Sequence, residues 1–232
     1  MSAGLCIVPG VSEGLLLEAE AFGESGPQVR LWTAETPALV CPAAFCRKPG
    51  FEAAARNSAA RGWPLSLRPT GGGVVPQGPG VLNVALAFTA GRDFGIEAGY
   101  RLITDVIRAA LGPVGPRLVT GPTQDSFCDG CWNLSVSGQK FVGTAQRIRP
   151  AGGGARRVLA HALILLDGDV APGVEAVNGL HAEVGLPPVV GRSHTTLAAF
   201  MGPDAPDPSQ LARDLAAYAL DALAPTPAVV AA

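Results

Sequence analysis

The chain has 232 residues and a mass of 23.5 kDa, enough to bury a sizeable core, and its 48% hydrophobic and 16% charged residues describe a globular, rather apolar protein. A net charge of −2 and a pI near 5.9 exclude the basic footprint of a nucleic-acid or anionic-membrane binder, and no apolar run approaches the roughly 18 residues of a bilayer span. The first ten residues lack a basic segment followed by a long apolar one, so the expected compartment is the cytoplasm, with the five cysteines reduced.

In chain order, Ser12 is placed to cap a helix over 13–22 that carries Leu15, Leu16 and Ala19 on one side. Short strands at 29–33 and 38–41 flank the turn Glu35-Thr36-Pro37, and an alanine-rich helix at 51–61 ends at Gly62. A strand at 65–68 runs into a glycine loop, and another at 81–88 leaves it. Ile96, Tyr100, Ile103, Ile107 and Ala110 recur at helical spacing over 96–111, stopped by Gly112-Pro113. The segment 133–137 alternates apolar and polar residues, Gly138-Gln139 makes a turn, and Lys140 opens the return strand. Residues 158–166 are apolar on both alternating faces, as in a strand covered on both sides. Helices follow near 174–184 and 209–223, the last begun by Asp207-Pro208. Hairpins and helices without regular βαβ alternation predict an α+β fold with a mixed, largely antiparallel sheet. One domain over 1–223 and a loose tail over 224–232 complete the expected organisation.

Fifteen of the seventeen basic residues are arginines, and the two lysines are Lys48 and Lys140. An ammonium is a compact point charge and a guanidinium a planar fork, so a tight pocket that needs the first will not accept the second. Upstream, Arg68-Pro-Thr70-Gly71-Gly72-Gly73 joins a short strand to a glycine cradle whose amides can approach a phosphate or carboxyl group. A second triplet, Gly152-Gly153-Gly154, has only the look of a flexible hairpin tip. The first triplet matches neither a P-loop nor a dinucleotide fingerprint.

These residues, in order, resemble three motifs of the lipoate–protein ligase and octanoyltransferase family. The first is Arg68-Pro-Thr-Gly-Gly-Gly73 and the second Gly138-Gln-Lys-Phe-Val-Gly-Thr-Ala-Gln-Arg147. The third is Leu159-Ala-His161-Ala-Leu-Ile-Leu-Leu166, with similar text at Leu16-Leu17-Glu18 and Val29-Arg30-Leu31-Trp32. The resemblance spans about residues 13–200 and implies an α/β domain around a mixed sheet, shared with biotin–protein ligases. It implies transfer of a lipoyl or octanoyl group onto one lysine of a lipoyl-carrier domain, with the acyl-adenylate route of a lipoate–protein ligase as the leading expectation and a cysteine thioester as the alternative. Lys140 takes the catalytic position, and Arg68, Thr70, Gly71, Gly72, Gly73, Asn83, Gly143, Thr144, Ala145 and His161 bind the acyl group or its phosphate. If the protein is a ligase, ATP and Mg2+ are needed, with lipoate, octanoate or lipoyl-AMP as ligand.

The chain departs from that pattern. Leu67 stands where ligases carry a second arginine, Gln77 about where they carry a histidine, and no room is left after about residue 200 for an accessory domain. A separate accessory subunit is one way to restore the ligase route. Transferases of the family instead hold the acyl group on a cysteine, and Cys128 in Asp125-Ser-Phe-Cys-Asp-Gly-Cys131 lies near that place, although its spacing from Lys140 differs. A cysteine beside an ammonium is a ready acyl acceptor. Biotin ligation and a non-catalytic lipoate-binding subunit remain as alternatives. Cys41, Cys46, Cys128 and Cys131 form a further candidate, a zinc site, although no residue is assigned to a metal. His161 reads as a pocket residue, and His181 and His194 carry no motif.

Overall fold

The computed structural model describes residues 4–224. The chain forms β1 (Leu5–Val8), α1 (Val11–Gly23), β2 (Gln28–Ala34), β3 (Ala38–Pro42) and α2 (Phe51–Ala60). It continues through β4 (Leu65–Arg68), β5 (Val75–Gln77), β6 (Val81–Ala90), α3 (Ile96–Ala110), β7 (Val119–Thr120) and β8 (Leu134–Val136). The last elements are β9 (Gln139–Pro150), β10 (Arg156–Leu165), α4 (Ala171–Glu183), α5 (Leu197–Met201) and α6 (Pro208–Leu223).

Seven strands make one sheet in the order β1-β2-β6-β10-β9-β8-β7, in which β1 and β2 alone run parallel. This is the expected α+β architecture with a mixed, largely antiparallel sheet. A second, three-stranded sheet, β4-β3-β5, was not legible in the chain. The strands expected on either side of Pro37 belong to different sheets, because β3 takes its partners from β4 and β5, far along the sequence.

The hydrophobic stripe of α3, through Ile103, Val106 and Ile107, packs with Leu211 and Leu215 of α6 on the large sheet. Asp207 Oδ1 accepts from the Ser209 and Gln210 amides at 2.9 and 3.1 Å, so the expected cap of α6 is present. Helix α1 covers the opposite face. Its C-terminal carbonyls are capped by Arg157 of β10, which is 2% exposed and donates to Ala21 O at 2.6 Å and Phe22 O at 3.2 Å.

Three local expectations are corrected. Helix α1 starts one residue before Ser12, whose hydroxyl meets Ser66 Oγ at 3.2 Å instead of capping. Its buried face is Val11, Gly14, Glu18, Ala21 and Phe22, while Leu16 is 60% exposed. Gly14 belongs to this face because a Cβ there would overlap the Trp32 ring. The β8–β9 turn is Ser137-Gly138, with φ of 50° and 77°, a pair of left-handed residues that matches the twist of a tight hairpin; Gln139 is already strand. At the start of α3, Ile96 is exposed, and the buried face begins at Gly99. The tail expected over 224–232 lies, from 225 onward, outside the described residues. Among the described residues no helix is long and apolar enough to cross a membrane.

Candidate active site

The centre of the site is a backbone loop, not a strand end. Cys128 has φ of +48°, a left-handed conformation unusual for a non-glycine residue and one that the surroundings must hold in place. Four groups hold it. The Phe127 amide donates to His194 Nε2 at 2.8 Å, and Lys140 Nζ donates to the carbonyls of Phe127 and, at 3.0 Å, Cys128. Asn133 Nδ2 donates to the same Cys128 carbonyl at 2.9 Å, and the Gly73 amide donates to Cys128 Sγ at 3.0 Å.

Lys140 is 2% exposed at the start of β9, and burial brings its pKa down to about 8, against the opposing charges of Cys128 and Asp129. Two of the three donors on its ammonium are committed to carbonyls of the cysteine loop, which fixes the loop and leaves one N–H. His194 is 3% exposed and stacks on Phe127 with ring centroids 3.9 Å apart. Burial first, and the Lys140 charge second, push its pKa down to about 4, so the ring is neutral. Its Nδ1 lies 3.1 Å from Val190 O and carries the proton, leaving Nε2 to accept from Phe127. The sequence reading missed His194 because its partner lies 67 residues away and no local pattern marks it.

The glycine loop presses against this cysteine. Gly72 has φ of +103°, and a Cβ there would overlap Cys128 Sγ and come within 3.0 Å of Arg68 Nη2. At Gly73 a Cβ would sit 3.1 Å from Cys128 Cα. Gly71 faces open space. Arg68 is 5% exposed and donates to Val40 O at 3.0 Å, Gly71 O at 2.9 Å and Gly73 O at 2.7 Å. Its guanidinium therefore shapes the loop from behind. Leu67, beside Arg68 on β4, is 44% exposed.

Below the loop runs a buried polar chain. Thr70 Oγ1 faces His161 Nε2 at 3.1 Å, His161 Nδ1 meets Glu18 Oε2 at 2.8 Å, and Trp32 Nε1 donates to Glu18 Oε1 at 3.0 Å. Gln77 and Asn83 pair reciprocally at 2.7 and 2.9 Å. Glu18, His161, Gln77 and Asn83, with Arg68, Cys128, Gly143, Thr144 and Ala145, line a narrow inner chamber of about 40 Å³ walled by Leu15, Val40, Val75 and Leu163. A wide outer cleft of about 570 Å³ is bounded by Gly71, Gly72, Gly73, Asp125, Asp129 and Gln146. Cys128, Thr144 and Ala145 border both spaces. Thr144 is fixed by its amide, which donates to Asn133 Oδ1 at 3.2 Å, and by its hydroxyl, which donates to Trp132 O at 2.9 Å.

The residues singled out in the sequence thus converge on one place, Cys128 included. Cys41 is buried and held by burial at a pKa of about 12, while Cys46 and Cys131 are exposed. Among the described residues no group of three or more His, Cys, Asp or Glu side chains is placed to hold a metal ion.

A mixed sheet carrying a buried lysine and a cysteine clasped by a glycine loop defines an α+β domain with a built cleft. Residues 13–216 match the lipoyl protein ligase A/B catalytic domain, and the chain belongs to that family. It is 37% identical over 164 residues to an uncharacterized protein of Cupriavidus necator, covering 65% of this chain and 64% of that one. It is 31% identical over 170 residues to an octanoyl-[GcvH]:protein N-octanoyltransferase of Kyrpidia tusciae, covering 71% and 59%. The chain therefore spans less than two thirds of the length of these relatives. The fold is shared with a bipartite lipoate protein ligase of Thermoplasma acidophilum, with a TM-score of 0.67 at 18% identity over 96% of this chain and 84% of that one.

Proposed function

We propose that this protein is an acyltransferase that moves an octanoyl or lipoyl group through a thioester on Cys128 to a lysine of a lipoyl-carrier protein. The observation that carries this reading is the position of Cys128, clasped between the Gly73 amide and the Lys140-bound carbonyls where the inner chamber meets the outer cleft. The Cys128 sulfur attacks the donor carbonyl, the bond to the donor's lysine nitrogen breaks, the thiol proton ends on that departing nitrogen, and the acyl chain lies in the inner chamber. That chamber is narrow as it stands, so Leu15 and Leu163 move aside as the chain enters. The tetrahedral oxyanion is met by amides of the glycine loop and the remaining Lys140 N–H, donors aimed in advance at developing charge. An amine then attacks the thioester, the C–S bond breaks, and sulfur leaves.

The octanoyl-[GcvH] donor named for the Kyrpidia tusciae relative is the donor we assign here, an octanoylated carrier protein. The route through ATP, Mg2+ and lipoyl-AMP, with or without an accessory subunit, is the competing reading. Its structural relatives are under 25% identical and speak for the fold alone. We assign the activity to a single catalytic domain working in the cytoplasm.

The test is transfer from an octanoylated carrier to an unmodified lipoyl domain, with and without nucleotide. Transfer should proceed without ATP, and Cys128→Ser should lower turnover at least about 1,000-fold, since a hydroxyl with no dedicated base is a far weaker nucleophile. A strict requirement for ATP and Mg2+, with Cys128→Ser fully active, would establish the ligase route instead.

A further inference from the structure

Four buried side-chain atoms among the described residues have no hydrogen-bond partner: Thr123 Oγ1, Ser126 Oγ, Gln146 Oε1 and His181 Nε2. Three of them, on Ser126, Gln146 and His181, belong to the wall of the outer cleft. Unpaired buried polar atoms are uncommon, so their gathering in one wall points to a ligand that completes them. Ser126 is 5% exposed.

The chemistry of these atoms identifies the ligand. Gln146 Nε2 donates to Ile96 O at 2.6 Å, and its carbonyl oxygen, packed beside Gly99, has no donor, so a modest turn of the side chain is needed to offer it to the cleft. His181 Nδ1 lies 2.7 Å from Pro187 O and must carry the proton, so Nε2 presents a lone pair; burial lowers this pKa and favours the neutral ring. A serine hydroxyl accepts as readily as it donates. The same wall carries the carboxylates of Asp125 and Asp129; no lysine or arginine among the described residues lines it, and the Lys48 ammonium sits over the lining Phe45 ring at 5.3 Å and within electrostatic reach of His181. Asp129 accepts the Thr123 amide on one oxygen at 2.5 Å and keeps the other. Acceptors and carboxylates on this side of the cleft, facing the glycine-loop amides that meet the oxyanion, fit a cation with several N–H donors. They oppose a triphosphate.

We infer that the outer cleft is the entry channel for a primary ammonium, the side chain of the acceptor lysine, drawn in by Asp125 and Asp129 and aligned on the acyl group at Cys128. The inference rests on the thioester reading for its chemistry but not for its binding. The arriving ammonium releases one proton to solvent, its nitrogen forms the amide bond to the acyl carbon, and the C–S bond breaks. The second proton from nitrogen ends on the departing Cys128 sulfur. No oxidant, metal or nucleotide enters the balance.

The experiment uses the full chain, acylated with an octanoyl thioester and freed of donor, and compares two nucleophiles. Nα-acetyl-lysine methylamide is cationic at neutral pH, and hydroxylamine is not. In Asp125→Asn and in the Asp125→Asn/Asp129→Asn double variant, deacylation by the lysine amide should fall about tenfold more than deacylation by hydroxylamine. Equal losses with both nucleophiles would overturn the inference. Asp125 makes no side-chain hydrogen bond, so the single variant covers the case in which the double variant fails to fold. Equilibrium titration of the unacylated protein with the lysine amide, and separately with ATP, is independent of the thioester. Saturable lysine-amide binding that the substitutions weaken supports the channel even if Cys128 never takes an acyl group, which would sink the thioester reading alone. Binding of ATP in preference to the lysine amide, or no lysine-amide binding at all, overturns the channel.

Discussion

The chain contains two glycine triplets of identical composition and opposite circumstances. Gly71-Gly72-Gly73 is roofed by Cys128 and floored by Arg68, which holds two of its carbonyls. Gly152-Gly153-Gly154 sits at the tip between β9 and β10, where a Cβ at Gly152 or Gly153 would meet nothing within 4 Å and one at Gly154 would meet only the flexible end of Arg92. The lesson is that glycine marks a site when something must come close to the backbone, and marks only a turn when nothing does. Both triplets include left-handed residues, Gly72 at φ +103° and Gly153 at +67°, so conformation alone does not separate them. Contact does.

The sharpest way to break this comparison is to put the same side chain in both loops. Gly72→Val should lower turnover about 1,000-fold, because it displaces the nucleophile and the oxyanion amides together. Gly153→Val should leave turnover within about twofold while costing about 1–2 kcal/mol of stability, the strain of a β-branched residue at positive φ. Steady-state transfer rates and denaturant melts separate the two effects. Equal activity losses would end the distinction.

A smaller effect is expected at the ammonium that holds the cysteine loop roofing the first triplet. Lys140→Arg keeps the charge but brings a wider, planar group into a pocket that is 2% exposed, and should lower kcat about 100-fold. Near-normal turnover would remove Lys140 from the site.

The same group yields a pH signature. With its pKa near 8, the Lys140 ammonium is charged at neutral pH, and turnover should fall as pH rises through about 8 and the donors are lost. Stability moves the other way. The unfolded lysine holds its proton to about 10.5, so between about 8 and 10.5 the unfolded state binds more protons and stability rises with pH, a gain on the order of 3 kcal/mol. Lys140→Met, measured by thermal melts across that range, should lack the rise. His194, neutral down to about pH 4, has the complementary window: stability is lost as pH falls from about 6.5 to about 4.

The smallest effect lies within the first triplet. Gly71 faces open space at an ordinary φ, so Gly71→Ala should change turnover no more than about twofold. A loss as large as that of Gly72→Val would mean that Gly71, too, is approached by the ligand.

What was legible in the chain was local. The helical period of α3, the Asp207-Pro208 start of α6 and the doubly apolar β10 each carry their evidence within a dozen residues, and each was found. The second sheet was not, because β3 pairs with strands about 25 and 37 positions away, and pairing between distant strands leaves no local period. Leu16 was grouped with Leu15 and Ala19 on the apolar side of its helix, and Glu18 was noted only as family-like text; the structure exposes Leu16 and buries Glu18, since Trp32 and His161 satisfy the carboxylate. In the site, Lys140 and the first triplet announced themselves by composition. The clasp on Cys128 by His194 and Asn133 depends on long-range packing and on one left-handed residue that no sequence pattern encodes.

The most direct test of the central claim, that the first triplet clasps a nucleophile, is peptide mass mapping of the protein after incubation with an octanoyl thioester and no nucleotide. The account predicts one octanoyl group on the peptide bearing Cys128, removed by hydroxylamine and absent in Cys128→Ser. No adduct, or a labile adduct confined to Cys131 or another exposed cysteine, would contradict it.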